Sequence, residues 1–387
     1  MNTIYSDLQD AFNDRKLINV YQEDEDVFYT GYVNRINDDE TLLSTYDSLG
    51  LADGMVCLKN SVISEVEFDS DDLSDIKLRM SIAADDDFID FYPNSLSFAT
   101  NINLFEQIII QSMLDKQVIL VQDLISNRFI EGLVTDVSDT NFKIKNVDKF
   151  HFSNKKETTI NFTNIKLVEF QGRELTILSR CLDVFKKDSL PTIIKREQAE
   201  IVDGLKQAYK NQQLVEIRSR YNKRYFYVGQ IISLSDSQLV IKVVDMAGQF
   251  GGYVLMKNLA VHNLIVQSDY LFLIQQFIDM NKYYHMESQP VLNYEREFDS
   301  QDNLFSDIIN QSQKLRYLIR LQLNNGNDFM GYPVKTDDDN VYINQLDETK
   351  TFLILNKKIA LNDVMEISFG YVDAYLVREI LSLRGEI

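Results

Sequence analysis

Between Leu321 and Asp347 apolar and polar residues alternate in short runs: L-Q-L-N-N-G-N-D-F-M-G-Y-P-V-K-T-D-D-D-N-V-Y-I-N-Q-L-D. Period two predicts strands with one buried face. The two interruptions predict turns, the first an Asn-Gly turn at Asn325-Gly326. Gly331 falls inside the second strand. Three earlier stretches carry the same skeleton. Their glycines are Gly31, Gly132 and Gly229, so the four are spaced 101, 97 and 102 residues apart. Seven residues after each glycine stands an aspartate (Asp38, Asp139, Asp236, Asp338), where the chain must reverse and an Asp can bond its own backbone. Sixteen after each stands another (Asp47, Asp148, Asp245, Asp347). Ten and twelve after each are Thr41 and Leu43, Phe142 and Ile144, Leu239 and Ile241, Val341 and Ile343. All but Thr41 are apolar, as the buried face of a third strand requires.

The repeat predicts four tandem copies, at 1–96, 97–192, 193–290 and 291–387. Each reads as a helix, five strands and a closing helix, a mainly β chain with helices (α+β). Acidic turns and Pro93 mark the first boundary and Pro191 the second, while 281–302 is the longest connection. Odd and even copies differ. Copies one and three share glycines after the third strand, Gly50 and Gly54 against Gly248 and Gly252. Copies two and four share their leading helix, Asn103-Leu104-Phe105 against Asn303-Leu304-Phe305, displaced by 200 residues. A two-copy unit duplicated as a block explains both facts and predicts a pseudo-twofold of copies 1–2 on copies 3–4.

A helix followed by a bent five-stranded antiparallel sheet, with an Asn-Gly turn and a mid-strand glycine, resembles the Sm/LSm (Hfq-like) fold. Leu321 to Ile343 matches its first motif best, and the resemblance covers some 60–65 residues of each copy. It implies four small bent barrels in tandem, arranged as a duplicated pair. Sm-like proteins form six- or seven-membered rings that hold single-stranded RNA. Here the family's nucleotide-loop Asn is replaced by Leu42, Lys143, Val240 and Tyr342. Its Arg-Gly pair gives way to Lys59-Asn60, Thr163-Asn164, Lys257-Asn258 and Lys357-Lys358. The family's uridine site is therefore not implied, whereas protein binding through barrel edge strands is.

Charge changes the picture in one respect. The chain of 387 residues carries a net charge of −20, and residues 1–100 hold 22 acidic against 6 basic side chains. The first copy should repel phosphate backbones, while the two middle copies are near neutral. Copy three offers a basic and aromatic hairpin tip, Arg218, Arg220, Tyr221, Lys223, Arg224, Tyr225 and Tyr227; copy two adds Lys143 and Lys145. Cations for phosphate and rings for bases suit single-stranded RNA. The three histidines, His151, His262 and His285, show no ligand spacing. The aspartate runs lack the glycine and distal glutamate of a calcium loop. No catalytic, metal or cofactor residue is expected, and no enzyme. Two cysteines give no disulfide framework, and neither a secretory core nor a run of membrane-spanning length appears. The sequence thus predicts a cytoplasmic, non-enzymatic scaffold that binds protein partners and forms homo-oligomers through its edge strands, with no membrane association. An RNA-binding regulator using copies two and three is the alternative.

Overall fold

A computed structural model describes residues 4–23, 28–91, 97–99, 102–222, 225–299, 303–347 and 352–387. The chain divides into two compact units, Met1–Ala83 with Asp90–Ser189, and Ala84–Ile89 with Leu190–Ile387.

Unit 1 runs α1 (Ile4–Asp14), β1 (Leu17–Gln22), β2 (Phe28–Ile36), β3 (Glu40–Tyr46), β4 (Ala52–Lys59), β5 (Ile63–Glu67) and α2 (Asp71–Asp85). It then repeats the plan with α3 (Leu104–Asp115), β6 (Val118–Asp123), β7 (Phe129–Val137), β8 (Asn141–Asn146), β9 (Glu157–Asn161), β10 (Ile165–Phe170) and α4 (Arg173–Arg180). Its ten strands form one antiparallel sheet in the order β5-β1-β2-β3-β4-β10-β6-β7-β8-β9.

Unit 2 opens with a strand the sequence analysis missed, β11 (Ile193–Lys195), just after Pro191. There follow α5 (Gln198–Asn211), β12 (Leu214–Ser219), β13 (Phe226–Leu234), β14 (Gln238–Val244), β15 (Phe250–Lys257), β16 (Val261–Gln267) and α6 (Asp269–Tyr283). The last set is α7 (Leu304–Leu315), β17 (Ile319–Leu323), β18 (Asp328–Thr336), β19 (Asn340–Leu346), β20 (Phe352–Ala360), β21 (Val364–Phe369) and α8 (Val372–Leu383). The order is β11-β16-β12-β13-β14-β15-β21-β17-β18-β19-β20.

The expectation of four separate five-stranded Sm-like barrels is therefore wrong. The described strands form two continuous sheets of ten and eleven strands, and no barrel closes. The cause lies in the fourth strand of each odd copy. β4 pairs with β10 and β15 with β21, so these strands hand their outer edge to the next copy. Both faces of β4 are apolar. Val56 and Leu58 enter the core of their own copy, while Met55 and Cys57 enter that of the next. β15 divides in the same way, Val254 and Met256 inward and Tyr253 and Leu255 onward. Joining the sheets edge to edge removes that second apolar face from water at roughly 25 cal/mol per Å².

The repeated residues acquire physical roles. A Cβ on Gly31, Gly132, Gly229 or Gly331 would strike the carbonyl oxygen of Ser44, Lys145, Lys242 or Asn344 on the facing strand. Just beyond, the register slips in every copy, between Val33 and Arg35, Val134 and Asp136, Ile231 and Ser233, and Pro333 and Lys335. Bare backbone and a bulge are what let a strand bend sharply. The turn itself differs from expectation. Asp38, Asp139, Asp236 and Asp338 are exposed, and the acceptor is the residue before each. Asn37 Oδ1 accepts from the N–H groups of Asp39 and Glu40, and Asp337 Oδ1 from those of Asp339 and Asn340; the Ser235 hydroxyl accepts from Ser237 and Gln238 in the same way, and the Ser138 hydroxyl from Asn141. The later aspartates do bond backbone. Asp47 Oδ1 accepts from Leu49 and Leu51, Asp148 Oδ1 from Phe150 and His151, and Asp245 Oδ1 from Ala247 and Gln249. The Asn-Gly turn falls where predicted, Gly326 taking a φ of 87°.

Candidate functional site

The basic and aromatic residues singled out for RNA fall in both units. Lys143 and Lys145 belong to unit 1 and the rest to unit 2. Lys143 is paired with Asp136 at 3.2 Å. Arg218 bonds the buried Glu216 at 2.8 Å and lies over the Phe226 ring, and Arg220 donates Nε to the Leu259 carbonyl at 3.1 Å. The Tyr227 ring packs, partly buried, against the core of its copy, and its hydroxyl donates to Glu366 Oε2 at 2.8 Å. Tyr225 is exposed, Lys145 is exposed and Tyr221 half-buried, while Lys223 and Arg224 lie outside the described residues.

No local pattern points to Tyr227's partner, which sits across the junction of two copies. Glu366, on β21, also accepts from the Ser219 hydroxyl, and burial pushes its carboxyl up. Unit 1 has a matching link, Tyr29 Oη to Glu169 Oε1 at 2.5 Å. Beside it Lys149 bridges Glu131 and Glu174. Burial raises the carboxyls of Glu131 and Glu169, and pushes that of Asp47 up to about 6 against its backbone bonds. These groups bind protons more tightly folded than unfolded. For Asp47 that contribution to stability is complete below about pH 4 and is lost as the pH rises through about 6. Urea denaturation should show Asp47→Asn gaining about 2 kcal/mol on the natural chain between pH 4.5 and 7.5. A gap that stays constant with pH would show that Asp47 does not titrate in this range.

Among the described residues each sheet ends on open edges. In unit 1 these are β5 and β9; in unit 2 β11 covers β16, leaving β11 and β20 outermost. β20 carries exposed apolar side chains, Ile354 at 41% and Leu355 at 62%, beside a residue of positive φ, Asn356. The exposed Lys358 follows. Bulges and lysines blunt an edge against indiscriminate pairing but leave its N–H and C=O groups in place.

Unit 2 also holds a cavity of about 420 Å³. One wall is formed by residues 291–296 of the long connection the sequence marked, whose course is fixed by Tyr253. Its hydroxyl donates to the Asn293 carbonyl at 3.0 Å and accepts from the Arg296 N–H at 3.1 Å. The other walls come from α7, the end of β21 and α8.

Among the described residues no group of three or more His, Cys, Asp or Glu side chains is placed to hold a metal ion, and no helix is long and apolar enough to cross a membrane. No protein-family model matches the chain, and no curated protein matches it significantly.

Proposed function

We propose that the protein is a non-enzymatic scaffold that engages protein partners, including copies of itself, by adding strands to the open edges of its sheets. The observation that carries this is the construction of each sheet. A fourth strand in odd copies pairs with the fifth strand of the next copy, whereas the fourth strands of even copies, β9 and β20, end their sheets. Main-chain pairing supplies affinity at such an edge, and the exposed Ile354 and Leu355 supply side-chain contact. A cytoplasmic location belongs to the same reading, supported by two buried, unpaired thiols, Cys57 and Cys181. So does a kinship of the single copy with Sm/LSm modules; its support is the shared glycine-and-bulge strand, and it carries no closed barrel.

A photo-crosslinking residue placed at Leu355 in the producing cell tests the reading, with one at the exposed Tyr209 on α5 as control. Discrete protein adducts at position 355, absent at 209 and lost when Ile354 is also changed to Lys, are expected. Equal labelling at both positions would overturn the edge as the docking element. Recovery of RNA in place of protein would transfer the function to the nucleic-acid alternative.

A further inference from the structure

The cavity in unit 2 is lined by aromatic rings, Tyr253, Tyr317, Phe369, Tyr371 and Tyr375, and by two arginines, Arg296 and Arg378. The arginines differ. Arg378 lies over the Tyr317 and Tyr375 rings and is paired with Glu379 at 2.5 Å. Arg296 has no carboxylate within 4 Å among the described residues. Its guanidinium sits over Phe298 and Phe369, at 5.1 and 5.3 Å from their centroids, and donates to the Gln311 side chain.

That is unusual in a chain of 59 acidic against 39 basic residues, where a carboxylate partner is easily supplied. Arg296 is half-buried, and taking even part of a cation out of water carries a cost that a counter-charge would offset. Stacking on two rings returns part of that cost and leaves the charge itself unneutralised. Burial accordingly lowers the affinity of Arg296 for its proton. The rings form a flat-sided apolar space within the range of small-molecule sites, roughly 300–1,000 Å³. The loop bearing Arg296 is held by the Tyr253 hydroxyl, so the guanidinium is positioned before any ligand arrives.

We propose that this cavity binds a flat aromatic molecule bearing one anionic group, of mononucleotide size or smaller, with the ring between the tyrosines and the anion on Arg296. Arg378 supplies a second, already paired, donor at the same cavity. The site lies apart from the sheet edges in chemistry and stands or falls independently of the scaffold reading.

Calorimetric titration of the full chain tests this with four probes: adenosine monophosphate, uridine monophosphate, phenyl phosphate and inorganic phosphate. The ring-bearing probes should bind with a Kd below ~1 mM. Inorganic phosphate should bind at least about tenfold more weakly, since it leaves the aromatic walls unused. A preference for a nucleotide over phenyl phosphate would identify a nucleotide as the source, and parity would identify a simple aromatic anion. Arg296→Met should weaken the ring-bearing probes at least about tenfold while keeping the thermal midpoint, because that side chain makes no salt bridge to lose. Should that variant unfold, Arg378→Gln, midway along α8, gives the same reading with a smaller loss. No binding at several millimolar, phosphate binding as tightly as the ring-bearing probes, or affinity unchanged in a folded Arg296→Met would each overturn the proposal.

Discussion

Gly54→Ala should destabilise unit 1 by about 3–5 kcal/mol, which is large for the addition of one methyl group. Two terms combine. Gly54 has a φ of 79°, a left-handed conformation that costs an L side chain about 1–2 kcal/mol. In addition its Cβ would press on main chain of the adjoining copy: Gln171 C at 2.5 Å, Gly172 Cα at 2.6 Å, and the Gly172 nitrogen. A flexible side chain could turn aside, but this is the backbone entering α4, whose first N–H, that of Arg173, is bonded by Asp53 Oδ1 at 3.3 Å. Relief therefore requires β4 and β10 to separate. Gly326→Ala is the control. It has a φ of 87° and, among the described residues, only the Tyr221 carbonyl, at 3.8 Å, near its Cβ position, so it should cost about 1 kcal/mol. Urea denaturation of both variants checks the contrast; equal losses would show that crowding at the join contributes nothing.

The same glycine shows how much of the fold the sequence carried. The glycines confined to copies one and three were visible as a pattern, and the structure gives them a cause. Gly54 lies against Gly172, and Gly252 against Tyr371, where an odd copy receives the strand of the next. Even copies end their sheets and have nothing to accommodate. The strand positions were legible because period two and turn residues are local signals. The pairing of β4 with β10 was not, because it joins residues more than 100 positions apart and no local rule selects the partner of an edge strand. For the same reason the Tyr227–Glu366 bond had no local signature. Arg296 falls in the long connection that sequence reading flagged only for its length; the rings around it come from β15, β21, α8 and the short turns that follow α7 and β21.

One signal of the join was present and went unread: the residue eleven positions after each repeat glycine. It is Leu42 and Val240 in the odd copies but Lys143 and Tyr342 in the even ones. On a strand with one buried face that position points to solvent, as it does for Lys143, which is 44% exposed and paired with Asp136. Leu42 sits on the equivalent face yet is 1% exposed, packed into the core of the following copy. Leu42→Lys should therefore cost at least about 4 kcal/mol, because it removes a packed side chain and leaves a cation in an apolar core without a counter-charge. Lys143→Leu, the reciprocal exchange, should change stability by less than about 0.5 kcal/mol, losing only a half-exposed ion pair. Comparable small effects from both would mean that the outer face of β3 is not sealed by the second copy, and the continuous sheet would lose its main energetic support. If Leu42→Lys alone collapses unit 1, apolar residues on both faces of the third and fourth strands are what commit each odd copy to its neighbour.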